Sequence, residues 1–221
     1  MRTRLAHRDR WPPAVAVVTV AGLRVLLADP LVPGARWVLP ALELLLVVGL
    51  VIATDHRLDL EERILRTASL GLLAVVALGN TVALVALVDR LLVKGTTDGR
   101  ALLAGAAAIW LTNVVVFGLA YWETDRGGPL SRSRPVPAGP PTRAGLPGLQ
   151  FPQDADPQLA PGGWRPFFVD YLFVSLTAAT AFSPTDVMPL THRMKLLVGA
   201  QSLISLLTVG LVAARAVNIL Q

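Results

Sequence analysis

A short polar stretch near the C-terminus carries the side chains best suited to contact water or an ion. Oxygen-bearing residues are concentrated there, between two apolar segments, at Thr180, Ser183, Thr185 and Asp186. Pro184 disfavours helical backbone in the residue before it and lacks an N–H group, so we expect one helix to end near Phe182 and another to begin near Thr191. The oxygens would then lie on irregular backbone, where they need water or protein rather than hydrocarbon.

The surrounding segment resembles the pore helix, selectivity filter and inner helix of potassium channels. Those channels often read Asp-Ala-Leu-Tyr-Phe-Ser-Val-Val-Thr-Leu-Thr-Thr-Val-Gly-Tyr-Gly-Asp-x-x-Pro. An ungapped comparison over positions 170–189 matches Asp170, Ser175, Thr180, Asp186 and Pro189. The Gly-Tyr-Gly filter is missing, because Ala181-Phe182-Ser183-Pro184-Thr185 stands where the channels have Thr-Val-Gly-Tyr-Gly. Potassium filters use glycine so that successive carbonyls face the ion axis, and this chain lacks that feature.

The resemblance implies a homo-oligomeric pore protein with an atypical Ser-Pro-Thr-Asp mouth. Residues 167–182 would form a re-entrant pore helix and residues 191–218 the inner helix. Thr180 would lie at the filter entrance, with Ser183, Thr185 and Asp186 in a ring at the outer mouth. The alternative is an ordinary helical hairpin in which 167–182 spans the membrane and Asp186 caps the next helix.

A second resemblance concerns an uncharacterised bacterial family of multi-pass membrane proteins. It covers the C-terminal half of the chain and implies no particular chemistry. The residues that carry it are Tyr121-Trp122-Glu123, Asp125-Arg126-Gly127-Gly128-Pro129, Phe151-Pro152-Gln153 and 181–186.

Composition predicts an integral membrane protein. The chain has 221 residues, of which 53% are hydrophobic, and a mean hydropathy of +0.58. A soluble domain of this length cannot bury so much apolar surface. The net charge of +5 is typical of cytoplasmic loops beside anionic headgroups, and no basic run with interleaved aromatics predicts nucleic-acid binding. The bias towards Ala, Val, Leu and Arg indicates a bacterial source and hence the inner or plasma membrane.

We predict an all-α membrane protein with five to six transmembrane helices, the segment 167–182 being either a full span or a re-entrant pore helix. The expected regions are a basic tail (1–11), a four-helix membrane region (12–123), a polar loop rich in Pro and Gly (124–165), and a C-terminal helical hairpin or pore-loop module (166–221). Within the membrane region the spans are 12–28, 37–54, about 59–88 and 101–122.

Four polar residues interrupt or adjoin the apolar segments, at Glu43, Asn80, Asn113 and Asp170. Such residues in lipid face protein or water. A proton-coupled transporter would use them to carry its substrate, although the internal repeat common in transporters is missing. In the structural alternative, Asn80 makes an interhelical hydrogen bond and Glu43 pairs with an arginine near the interface.

The loop 124–165 holds more than half of the chain's 17 prolines, which predicts irregular structure. Phe151 and Trp164 indicate that part of it packs on the membrane region. Six plain spans with the N-terminus inside would leave this loop in the cytoplasm, in agreement with the positive-inside rule. A re-entrant 167–182 instead requires the loop outside, so charge and local sequence favour different topologies.

The competing functions are an ion-channel-like pore, a non-catalytic membrane scaffold or accessory subunit, and a small proton-coupled transporter. No catalytic motif is present, so we predict that the protein is not an enzyme. We also predict no cofactor and no metal site, because the chain has no Cys and its three His residues are far apart in sequence. The expected partners are the lipid bilayer and, for a pore, further copies of the chain.

Overall fold

The computed structural model describes residues 59–92, 99–133, 147–160, 164–184 and 186–219, with isolated positions at 15, 16, 18, 19, 22, 41 and 45. Two of the predicted site residues, Glu43 and Thr185, lie outside the described residues. So do the basic tail and most of the predicted spans 12–28 and 37–54.

The described chain is mostly helical. In chain order its elements are α1 (Asp59–Leu92), α2 (Gly99–Thr124), a 3₁₀ turn (Asp125–Gly127), α3 (Pro129–Ser133), β1 (Leu149–Gln150), α4 (Pro152–Ala155), a second 3₁₀ turn (Pro157–Leu159), α5 (Phe168–Thr180), β2 (Met188–Pro189) and α6 (His192–Ile219). The two short strands pair antiparallel, with Leu149 opposite Pro189 and Gln150 opposite Met188.

Three of the described helices are long and apolar enough to cross a membrane, in agreement with the predicted α-helical membrane protein. The membrane-capable stretches are Arg66–Arg90, Ala101–Gly127 and His192–Ala214. Each exceeds the length of about 20 residues that a bilayer core requires. α5 is also apolar, but it has only 13 residues.

Helix α2 is the centre of the bundle and packs against α1, α5 and α6. Its apolar stretch is 67% buried, compared with 33% for α1 and 22% for α6. α1 runs antiparallel to α2, since Arg66 near the start of α1 lies beside Gly128 and the Asn80 amide donates to the carbonyl of Ile109. The outer faces of α1 and α6 carry exposed leucines and valines, as lipid-facing helices do.

Two clusters of buried side chains make up the core. The larger one joins the C-terminal half of α2 to α5, the start of α6 and the polar loop, and includes Tyr121, Leu149, Phe168 and Met194. The smaller one joins the N-terminal half of α2 to the C-terminal half of α1, and Ile204, Leu211 and Val212 of α6 pack against it. Helix α6 therefore follows α2 along most of its length, whereas α5 accompanies only its C-terminal half.

Candidate functional site

The direction of α5 is set by contacts with α2. At its start Phe168 packs edge-on against Trp122, with ring centroids 6.1 Å apart. At its end the indole N–H of Trp110 donates to the carbonyl of Ala179 at 3.4 Å. Trp110 lies near the middle of α2, so α5 runs antiparallel to α2 and ends level with its midpoint.

Helix α6 begins at the same end of the bundle as α5. Its first-turn residue Met194 receives a hydrogen bond from Thr124, the last residue of α2, at 3.8 Å. Further along, the amide of Asn113 donates to Ser205 at 2.7 Å. α6 is therefore also antiparallel to α2, and α5 and α6 run parallel to each other. We call the end where both begin the Asp125 end.

The segment between α5 and α6 must return from the middle of the bundle to the Asp125 end. It does so through a turn, in which the Val187 N–H donates to the Pro184 carbonyl at 3.2 Å, followed by the short strand β2. β2 hydrogen-bonds to β1, and the Leu190 N–H donates to the Gly148 carbonyl at 2.8 Å. Helix α5 and the segment that returns from it thus form a loop whose start and finish both lie at the Asp125 end of the bundle.

A buried carboxylate holds the base of this loop. Asp125 is fully buried and accepts hydrogen bonds from the backbone N–H of Gly148 at 2.6 Å and of Leu149 at 3.2 Å. Its other oxygen accepts from the Tyr171 hydroxyl at 2.6 Å and from Nε of Arg126 at 3.2 Å. One side chain therefore joins the end of α2, the polar loop and the first turn of α5.

The turn around Asp125 explains the motif Asp-Arg-Gly-Gly-Pro. Arg126, Gly127 and Gly128 all have positive φ, at 50°, 78° and 92°. Glycine adopts such backbone without a steric penalty, and Pro129 then starts α3 with its fixed φ. The turn brings Arg126 to Asp154 of α4, with which it forms an ion pair.

Arg132 covers the same region from α3. It donates to the Asp125 carbonyl at 2.7 Å, and its guanidinium lies over the rings of Tyr171 and Trp122, at 5.0 and 5.9 Å from their centroids. Burial lowers the pKa of Arg132 from its ordinary value, although Tyr171 and Asp125 oppose the change. Cation–π contacts stabilise a guanidinium that is largely removed from water.

A second polar network lies inside the bundle and fixes α5 against α2 and α6. The Tyr121 hydroxyl donates to Gln201 Oε1 at 2.5 Å. The Gln201 amide donates to the carbonyl and to the hydroxyl of Ser175, both at 2.7 Å, and the Ser175 hydroxyl donates to the Val114 carbonyl at 2.6 Å. Tyr121, Gln201 and Ser175 are all fully buried.

The predicted intramembrane amides have structural roles. Asn80 makes the interhelical hydrogen bond expected of it, to the Ile109 carbonyl at 3.0 Å. Asn113 donates to Ser205 and to the Gln201 carbonyl, at 2.7 and 3.3 Å. Its Oδ1 atom is buried and has no hydrogen-bond partner among the described residues. Both amides join helices, as polar residues in membrane bundles commonly do.

Asp170, the fourth polar residue, lies in the first turn of α5. Its carboxylate accepts a hydrogen bond from the Phe167 N–H at 2.6 Å and so caps the helix N-terminus. A carboxylate is favourable there because the first N–H groups of a helix are unpaired and its dipole is positive at that end. Asp170 lies at the start of α5, level with Trp122 of α2, whereas Asn113 comes nine residues before Trp122 and Asn80 of α1 contacts Ile109, further along α2. The structure therefore does not bring the three described members of the predicted transporter set together.

The described members of the predicted mouth lie along the loop. Thr180 is exposed in the last turn of α5, where its hydroxyl donates to the Leu176 carbonyl at 2.9 Å. Ser183 and Asp186 are exposed on the segment that returns to the Asp125 end. Asp186 does not cap α6 as the hairpin alternative expected, because Thr191 accepts the Met194 N–H at 3.3 Å and takes that role.

The sequence reasoning missed the residues that hold the loop in place. Asp125, Tyr171 and Gln201 carry most of the buried polar contacts, and none was identified as a site residue. In the sequence, each of them is a polar residue within or next to an apolar segment. Gln201 resembles Asn80 and Asn113 in this respect.

Comparisons with protein-family models, curated proteins and solved structures find no match. Within the described ranges, no three His, Cys, Asp or Glu side chains come close enough together to hold a metal ion.

Proposed function

We propose that this chain is an ion-channel-like membrane protein in which residues 168–191 form a re-entrant pore loop. The observation that carries the proposal is that α5 and α6 start at the same end of α2. With 13 residues and a rise of 1.5 Å each, α5 is about 20 Å long, whereas the hydrocarbon core is about 30 Å thick. A helix of this length that is followed by a return to its own starting side is re-entrant.

The segment that returns from α5 has non-helical backbone at a depth where the bilayer contains no water. Residues 181–184 are non-helical, and they follow a helix that ends level with the middle of α2. Residues 181–183 are exposed in the single chain. Irregular backbone at membrane depth is tolerated only where protein or a water-filled cavity covers it. Association of several copies around a shared aqueous path would supply that cover. This supports a homo-oligomeric pore over a monomer surrounded by lipid.

The chemistry of the path favours cations. The Thr180 hydroxyl already donates its proton within α5, so its lone pairs remain available to a cation or to water. Ser183 adds a hydroxyl, and the exposed carboxylate of Asp186 adds negative charge towards the Asp125 end. Acidic side chains arranged in a ring select for cations. Thr185 belongs to the same stretch and completes the proposed mouth.

Planar-bilayer recording of the purified protein tests the proposal. We expect discrete currents with cation-over-anion selectivity, and Asp186→Asn is expected to reduce that selectivity. Asp156→Asn is the matched control, because Asp156 is an exposed carboxylate on the polar loop outside the proposed path.

Silent bilayers for the wild type and for variants that widen the path would contradict the pore function. Silence combined with partners that co-purify would favour the scaffold or accessory subunit instead. Currents that are equally selective after Asp186→Asn would retain the pore but remove Asp186 from it.

A further inference from the structure

Phe182 occupies a backbone position at which a large side chain is unfavourable. It directly follows the C-cap residue Ala181 of α5 and has a φ of 56°. Helices commonly end with a left-handed residue at this position, and it is usually glycine because a Cβ atom is strained there. The chain instead carries a phenylalanine, with a ring that is 42% exposed.

The ring is not required to end the helix. Termination is already explained by Pro184, which disfavours helical backbone in Ser183, and the Ala181 N–H donates to the Thr177 carbonyl at 2.8 Å as a normal last-turn bond. Strained residues of this kind persist where the surrounding structure enforces them, and they concentrate at functional sites. We therefore expect the phenylalanine ring to have a function that a glycine at this position could not provide.

Its place in the fold indicates that role. Ala179 lies beside Trp110, near the middle of α2, and Phe182 comes only three residues later. Phe182 is therefore close to the deepest point of the proposed re-entrant loop. It comes two residues after a stripe of exposed residues along α5 that ends at Thr180; the other members are Val169, Phe173 and Leu176. Assembly of copies around the proposed path would bring the Phe182 rings together near the middle of the bundle.

We infer that Phe182 is a hydrophobic gate: in the assembled protein the rings from several copies close the water path near the membrane centre. This inference rests on the proposed pore function. Apolar constrictions stop ions by excluding water, without needing to block the path sterically. The polar groups on either side, Thr180 and Ser183, would be hydrated while the ring between them is dry.

The test compares currents from the purified full-length protein carrying Phe182→Gly, Phe182→Ser or Phe182→Leu with those of the wild type. Removing the ring is expected to raise the time-averaged current by on the order of tenfold, because water and ions can then occupy the constriction. Phe182→Leu keeps an apolar side chain and is expected to remain close to the wild type. Phe167→Gly is the matched control, since Phe167 is 56% exposed but lies at the start of α5.

Folding is checked separately by thermal unfolding in detergent. Glycine adopts a φ of 56° without strain, so Phe182→Gly is expected to unfold at a temperature no lower than that of the wild type. A marked loss of stability would show that the ring is needed for packing and would overturn the gate.

The outcomes separate the gate from the pore. Wild-type currents that Phe182→Gly and Phe182→Ser leave unchanged would overturn the gate and retain the pore. Silence of the wild type together with current from Phe182→Gly would support both. Silence from every variant would overturn the pore, and the gate with it.

Discussion

At the scale of single residues, the protein is stabilised by a few buried polar groups that each join several elements. Asp125 accepts four hydrogen bonds from the polar loop, α5 and its own turn, and Gln201 links α2 and α5 through Tyr121 and Ser175. A buried polar group is costly unless it is paired, so each of these groups stabilises one arrangement of its neighbours over others.

The Tyr121–Gln201 pair gives a test at this scale. Gln201→Leu removes the acceptor of the Tyr121 hydroxyl and the donor to Ser175, so we expect the free energy of unfolding to fall by about 1–2 kcal/mol. Tyr121→Phe should cost less, because it removes one hydroxyl and leaves the ring packed. Unfolding in increasing SDS measures both.

The combined variant is the control for the hydrogen bond itself. If the two groups interact, the double variant should lose less stability than the sum of the single variants, by about 0.5 kcal/mol or more. Strictly additive losses would contradict a direct interaction between Tyr121 and Gln201.

At the scale of elements, the important relation is the close packing of α5 on α2. Gly118 lies where the two helices approach closely, since a Cβ atom there would be 3.3 Å from both Cα and Cδ1 of Leu172. Small residues at such crossings allow the backbones of membrane helices to come together. Close packing at Gly118 helps to keep Ser175 within reach of the Val114 carbonyl and of Gln201.

A larger side chain at Gly118 is expected to separate α5 from α2. Gly118→Val should lower the free energy of unfolding by about 1–3 kcal/mol, because the added methyl groups collide with the backbone of Leu172. Gly71→Val is the matched control, as a Cβ atom at Gly71 of α1 would have no neighbour within 4 Å in the part of the chain that the structure describes. Thermal unfolding in detergent measures both variants, and equal losses would argue against a close crossing at Gly118.

At the scale of the whole molecule, the parallel course of α5 and α6 determines which parts lie at the same end of the bundle. The polar loop, the start of α5 and the start of α6 all lie at the Asp125 end. Six plain spans would instead place the polar loop and the α5–α6 connection on opposite sides. The absence of Cys from the chain allows the two topologies to be distinguished by single introduced cysteines.

We expect cysteines at Ser131→Cys and Arg193→Cys to react with a membrane-impermeant thiol reagent from the same side of the membrane. Thr96→Cys, in the connection between α1 and α2, should react only from the other side. Labelling in intact cells and in inverted membrane vesicles measures the three positions. Reaction of positions 131 and 193 from opposite sides would contradict the re-entrant loop.

The polar loop shows where sequence reasoning was limited. Its prolines predicted irregular structure, and its described parts hold only short helices and one strand. Phe151 and Trp164 pack together and against the bundle, with ring centroids 5.2 Å apart, as their apolar character indicated. Pairing of β1 with β2 was not predicted, because two-residue strands have no periodicity to detect.

The sequence by itself determined the three long helices of the described chain. The predicted segments 59–88, 101–122 and 191–218 correspond to α1, α2 and α6, because in hydrocarbon a helix satisfies its backbone hydrogen bonds within one segment. Only the tertiary structure decided that α5 and α6 run parallel. That arrangement depends on hydrogen bonds between residues far apart in sequence, such as Asp125 with Tyr171 and Tyr121 with Gln201, which no local pattern specifies.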